Sequence, residues 1–186
     1  DAVMGVGDTV TVTLTVADDA GDIYTNLIGT VGDYDLSNLT RIDSTTYTAV
    51  FTVAEGDNNI VAGDDISVAL TIDDSVGNTS DQFTTSISQS GDGIDANTPT
   101  ITSVSISDSL MIVGDVVTVS ITASEASLSL NTGTINGVAV TGFTDNGAGN
   151  YSATYTVLEG HTDRAAGDAI PVSFILEDTA GNASDT

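Results

Sequence analysis

The sequence predicts an all-β protein: two tandem antiparallel β-sandwich domains of about seven strands each. Three observations predict it. The chain repeats itself once, its apolar residues alternate with polar ones, and its strands are punctuated by tight-turn signals.

The repeat sets the organisation. MGVGDTVTVTLTVADD from Met4 returns as MIVGDVVTVSITASEA from Met111, and YTAVFTVAEGDNNIVAGDDISVALTIDDSVGNTSD from Tyr47 returns as YSATYTVLEGHTDRAAGDAIPVSFILEDTAGNASD from Tyr151. The offset is 107 residues in the first block and 104 in the second, so the change in length falls in the variable stretch from Thr25 to Ser44. One repeat is roughly a hundred residues, the size of one sandwich domain. The expected domains are residues 1–96 and 97–186.

Within each repeat the period is two, that of a half-buried strand, and not the 3.6 of a helix. Val10, Val12, Leu14 and Val16 match Val117, Val119, Ile121 and Ala123. Tyr47, Ala49, Phe51 and Val53 match Tyr151, Ala153, Tyr155 and Val157. Ile66, Val68, Leu70 and Ile72 match Ile170, Val172, Phe174 and Leu176, which makes three core strands per repeat. Asn136-Gly137 reads as a tight hairpin turn and Asp145-Asn146-Gly147 as another. Pro171, which has no N–H to donate, suits the start of a strand or an edge. Helix is confined to one turn near Asn58 to Ala62. PTITSVSIS from Pro99 opens the second repeat as a first strand without a counterpart ahead of the first repeat. QFTTSISQS from Gln82 closes the first repeat, and the second stops before its equivalent. The missing strands imply either excision from a longer array or strand addition by neighbouring copies.

Composition narrows the function. Of 186 residues 40% are hydrophobic, so a core can be buried, while Asp+Glu 27 against Lys+Arg 2 gives a net charge of -25. Such a surface repels nucleic acid and anionic lipid, and cations are its natural partners. No apolar run approaches the roughly 20 residues of a membrane helix, so no membrane insertion is expected. Cys is absent. A long secreted chain without disulfides needs another stabiliser, and calcium is plentiful outside cells. Halophilic adaptation is a compatible source of the acidity.

The set GDTVTVTLTV, AEGDNNIVAGD, DDSVGNTSD and the linker GDGIDANTPTITSVSIS resembles the tandem Ig-like, cadherin-like extender repeats of giant bacterial surface adhesins of the RTX, type I-secreted kind. The resemblance covers essentially the whole chain. It implies two immunoglobulin-like sandwiches on the cell surface, in biofilm adhesion, forming a stalk with calcium at the junctions and adjacent repeats as partners.

Sandwich topology sends the acidic loops to two poles. Gly7-Asp8, the loop Glu55 to Asp64 and the exit Asp92 to Asn97 should share one pole of the first repeat; the loops at Asp18-Asp19 and at Asp73-Asp74 to Asn78 should share the other. In the second repeat Glu125 and the loop Glu177-Asp178 to Asn182 belong to the latter pole. Joined end to end, the repeats face acid to acid, a repulsion relieved by a cation that takes about 6 to 8 oxygen ligands. The junction candidates are Asp92, Asp95, Asn97, Glu125, Asp178 and Asn182, and Asp18, Asp73, Asp74 and Asn78 form an equivalent half-site toward a preceding repeat. The competing reading is that D-x-x-G-N is a good turn, with Asp bonding its own backbone. No EF-hand loop or RTX nonapeptide is present to decide between them.

No enzyme is expected. His161 stands alone where the first repeat has Asp57, and without Cys or a second His the familiar nucleophile and zinc sites cannot be built. A carbohydrate-binding module would need exposed aromatic platforms. Trp is absent, the strand tyrosines face inward, and only Tyr24, Tyr34 and Phe143 stay unassigned. A self-associating surface-layer or filament subunit with strand exchange is the alternative. Asn-x-Ser/Thr triplets at Asn38, Asn78, Asn150 and Asn182 would accept glycans only in a host that uses them.

Overall fold

The computed structural model describes residues 3–17, 21–91, 93–106 and 110–186. They fall into two compact units, Asp1–Asn97 and Thr98–Thr186.

Unit 1 carries β1 (Thr9–Thr15), β2 (Tyr24–Val31), β3 (Tyr34–Asp35), β4 (Ser37–Arg41), β5 (Thr46–Thr52) and β6 (Val68–Asp74). They form two sheets of order β1-β5-β4 and β3-β2-β6. Unit 2 carries β7 (Ile101–Ile106), β8 (Val116–Ala123), β9 (Ser129–Ile135), β10 (Val138–Ala139), β11 (Thr141–Gly147), β12 (Asn150–Thr156) and β13 (Val172–Glu177). Its sheets run β11-β12-β8-β7 and β10-β9-β13. All these strand pairs are antiparallel. The division is that of an immunoglobulin-like sandwich, with β7, β8, β12 and β11 as the A-B-E-D sheet and β9 and β13 as the C and F strands opposite. Strands β1 to β6 repeat β8 to β13 in the same order.

The period-two residues build the cores. In β8 and β12 every second residue is buried, and Val117, Val119, Ile121, Tyr151, Ala153 and Tyr155 meet Ile135, Phe174 and Leu176 of the facing sheet in one cluster. Each large side chain so buried contributes about 1.5–3 kcal/mol. Val10, Val12 and Leu14 of β1 keep the same alternation but stay half-buried. The reason is positional: β1 is the edge of its sheet, whereas β8 is flanked by β7.

Glycine is required where β2 crosses β6. Gly29 has φ 123°, and a Cβ there would lie 1.8 Å from the Ala69 carbonyl oxygen. Its equivalent Gly133 leaves room for Phe174, whose ring would be 2.9 Å from an added Cβ.

Three expectations are corrected. No helical turn forms at Asn58 to Ala62; Ile60 forms a β-bridge there and exchanges backbone bonds of 2.9 and 2.8 Å with Ile94. Burying Ile94 against Ile60 outweighs the local turn. Asp145-Asn146-Gly147 is not the hairpin turn but the end of β11, with an irregular register after Asp145. The reversal is made by Ala148 and Gly149 at φ 52° and 75°, so the Asn-Gly signal was spent on a bulge. Val172 is 44% exposed although its period predicts an inward residue, because it opens an edge strand. The Asn136-Gly137 turn forms as expected, with φ 53° and 78° between β9 and β10. No helix among the described residues is long and apolar enough to cross a membrane.

Candidate functional site

The acidic loop after β13 is built by one carboxylate. Asp178 Oδ1 accepts the N–H groups of Ala180 and Asn182 at 2.8 and 2.9 Å, and Oδ2 accepts the Asn182 side-chain amide at 2.8 Å. Gly181, at φ 89°, lets the chain double back. Unit 1 repeats the device. Asp74 accepts Val76 N–H at 2.9 Å, Asn78 N–H at 2.8 Å and the Asn78 amide at 2.7 Å. These are the bonds of the turn reading of D-x-x-G-N, and they also fix the orientation of each carboxylate.

Asp73 and Asp74 do not share a face, because successive strand residues point to opposite sides. Asp73 binds the Asn26 amide at 2.8 Å and the Thr79 hydroxyl at 2.7 Å, and Glu177 binds the Asn131 amide at 2.8 Å in the matching place.

The loop bonds have a pH consequence. The Asn78 backbone N–H, then the Asn78 side chain, hold the Asp74 carboxyl below the usual carboxylate range, and Asn26 and Thr79 do the same for Asp73. A carboxyl depressed by folding stabilises the folded state above its unfolded value, about pH 4, and loses that contribution as pH falls through the lower folded value. Unit 1 is therefore expected to keep a constant urea midpoint from neutrality to about pH 5 and to lose stability below about pH 4. Asn78→Ala should flatten that acid limb, read by amide exchange within unit 1.

Glu125 lies on the β8–β9 loop, which is pinned by a tyrosine. The Tyr151 hydroxyl donates to the Glu125 carbonyl at 2.9 Å and accepts the Leu128 N–H at 3.1 Å. Burial, then the charges of Asp145 and Glu125, raises the Tyr151 phenol above its usual value. In unit 1 Tyr47 holds the Tyr24 N–H in the same way, at 3.1 Å.

Asp95 and Asn97 sit together at the opposite pole of unit 1, organised by Asn59. The Asn59 amide donates to Asp95 Oδ1 at 3.1 Å, while its oxygen accepts Ala96 N–H at 2.8 Å and the Asn97 amide at 2.9 Å. Asn59 is the residue that sequence reading missed. Its one signal was its place in the loop Glu55 to Asp64, assigned to the same pole as the exit segment. Asp18 and Asp92 lie outside the described residues.

The three unassigned aromatics all pack on strand aromatics. Tyr24 meets Tyr47 edge-on at 5.6 Å, Tyr34 stacks on Phe51 at 4.5 Å, and Phe143 stacks on Tyr151 at 5.4 Å. His161 takes the role of Asp57: its Nδ1 lies 3.2 Å from Leu158 N, as Asp57 Oδ2 lies 2.7 Å from Ala54 N. It also stacks on Tyr155.

The side-chain ligands on offer at these poles are carboxylate and amide oxygens. That donor set fits a hard cation such as Ca2+, and not the softer metals that need thiolate or imidazole.

No protein-family model and no curated protein sequence matches the chain. Among solved structures it is similar to the fibronectin(III)-like modules of Clostridium thermocellum CbhA, at 17% identity and a TM-score of 0.35, covering 99% of this chain and 84% of that one. It is also similar to SGBP-B of the Bacteroides ovatus mixed-linkage glucan utilization locus, solved with a mixed-linkage heptasaccharide. There the identity is 16% and the TM-score 0.25, over 98% of this chain and 38% of that one. At these TM-scores neither likeness carries an argument, and the fold rests on the sheets described above.

Proposed function

We propose that the chain is a structural extender: two Ig-like repeats of a secreted, cell-surface adhesin stalk, stiffened by calcium where one repeat joins the next. The function is mechanical and has no catalytic step. Its partners are calcium and the adjacent repeats.

The observation that carries this reading is how firmly both ends of the connection are bonded into their own units. Gly93 to Asn97 is bonded into unit 1: Met4 N–H to the Gly93 carbonyl, Asp95 N–H to the Met4 carbonyl, Gly56 N–H to the Ala96 carbonyl, and Asn59 to Asn97. Thr100 is bonded into unit 2 through Ser124, at 2.8 and 2.9 Å. Thr98 and Pro99 lie between these tie points. Asp95 is covalently five residues from Thr100, whose partner Ser124 adjoins Glu125. The pre-oriented carboxylate of Asp178 and the pinned loop of Glu125 supply the oxygens on the second repeat; Asp95 and Asn97 supply those on the first. Calcium would cancel their repulsion and remove the remaining hinge freedom.

Small-angle scattering of the 186-residue chain in millimolar calcium and then in excess chelator tests the reading. The expected result is an extended, rigid particle that becomes flexible on chelation while both sandwiches stay folded. Glu125→Gln should show the flexible profile even in calcium. Superimposable profiles in the two buffers would remove calcium as the stiffening agent.

A further inference from the structure

One turn recurs along the chain, and one copy of it is closed by a different chemistry. In turns 5–8, 54–57, 112–115 and 165–168 the first residue's N–H is accepted by the side chain of Asp8, Asp57, Asp115 or Asp168, at 2.9, 2.7, 2.9 and 3.1 Å. Each aspartate N–H donates back to the first residue's carbonyl, at 3.1, 3.1, 3.0 and 3.0 Å. Turn 158–161 is built the same way around an imidazole. The His161 N–H donates to the Leu158 carbonyl at 3.2 Å, and Nδ1 lies 3.2 Å from the Leu158 nitrogen.

Exchanging carboxylate for imidazole changes what a proton does to the turn. A backbone N–H can only donate, so Nδ1 must offer its lone pair and the ring's own proton sits on Nε2. The Tyr155 hydroxyl, 3.1 Å from the same Nδ1, is then a second donor, and the two rings stack at 5.7 Å. Both bonds require a neutral ring, because an imidazolium carries N–H on both nitrogens and has no acceptor left. The Tyr155 oxygen can turn and accept the new proton. The Leu158 N–H cannot reverse, and it is left facing another N–H. An ionised carboxylate in the same place remains an acceptor throughout the neutral range.

The turn is tied to the strands beside it. Val157, which precedes it at the end of β12, donates its N–H to the Asp115 carbonyl at 2.9 Å and accepts the Gly114 N–H at 2.9 Å. The matching turn of unit 1 holds another segment of chain through the Gly56 N–H, which donates to the Ala96 carbonyl at 2.8 Å. The charged groups around His161 are Glu159 within the turn, Asp163 and Arg164 after it, and Asp115 across the Val157 bonds. Arg164 is turned away to Asn136 at 2.8 Å, so an imidazolium here meets no excess of positive charge.

We propose that turn 158–161 is a pH-sensitive latch at this pole of unit 2, closed at neutral pH and released by one proton on His161, while the aspartate turns stay closed. Imidazole is the side chain whose charge changes between about pH 5 and 8. The latch rests neither on calcium nor on the stalk reading.

The test follows the isotope-labelled full chain by nuclear magnetic resonance from about pH 7.5 to about pH 5.5. His161 is the sole histidine, so its ring signals stand alone. The expected result is a neutral ring in the Nε2–H tautomer and a Leu158 amide whose shift follows the protonation of that ring. Exchange at Leu158, corrected for its intrinsic pH dependence, should rise about fivefold on protonation, the worth of one hydrogen bond. Corrected exchange at Ala54 should stay constant, and His161→Asp should give Leu158 the behaviour of Ala54. A neutral ring in the Nδ1–H tautomer, or a Leu158 amide unchanged while the ring takes up its proton, would overturn the latch.

Discussion

Tyr151→Ala is expected to destabilise unit 2 by about 3–5 kcal/mol, a large fraction of the 5–15 kcal/mol that a domain commonly holds. The ring is 1% exposed, stacks on Phe143, and lies in the cluster that joins the two sheets of the unit. Its hydroxyl also bridges Leu128 N–H and the Glu125 carbonyl. Tyr151→Phe separates the two contributions. The ring remains, the Leu128 N–H loses its acceptor, and the expected loss falls to about 1–3 kcal/mol. Because two domains do not unfold as one two-state system, the readout is amide exchange assigned to each unit in a urea series. Exchange in β8 and β12 should accelerate and that in β1 and β5 should not. Equal losses for Tyr151→Phe and Tyr151→Ala would mean that the hydroxyl, and not the ring, dominates.

Gly29→Ala should cost unit 1 about 2–5 kcal/mol, part from overpacking and part from the positive φ. The new Cβ would sit 1.8 Å from the Ala69 carbonyl oxygen and 3.2 Å from Leu70 Cα, both backbone atoms that cannot rotate away. Strands β2 and β6 would have to part where Gly29 pairs with Leu70. Gly77→Ala is the control. Its φ is 92° but nothing lies within 4 Å, so only the backbone conformation is penalised, at about 1–2 kcal/mol. A Gly29→Ala chain as stable as the Gly77→Ala chain would show that the strands yield easily, and the close crossing would lose its structural meaning.

The candidate site was legible where the chemistry is local. Asp74 with Asn78 and Asp178 with Asn182 close their loops through bonds spanning four residues, and D-x-x-G-N announces such a loop in any context. Asn59 was not legible, because its partners Asp95 and Ala96 are 36 and 37 residues away and no local pattern marks such a bond. Neither was the split between Asp73 and Asp74, which read as one acidic pair and project to opposite sides of β6.

By itself the sequence determined the three core strands of each repeat and most of their inward faces, the Asn136-Gly137 turn, the repeated unit and the net acidity. Those properties follow from period-two alternation, turn chemistry and net charge, each a sum over neighbouring residues. Tertiary structure alone decided that Ile60 extends toward Ile94 instead of turning helical and that Ala148-Gly149 takes the hairpin reversal. Each of those outcomes rests on a contact between residues far apart in the chain, whose burial or pairing energy exceeds the local preference it overrides.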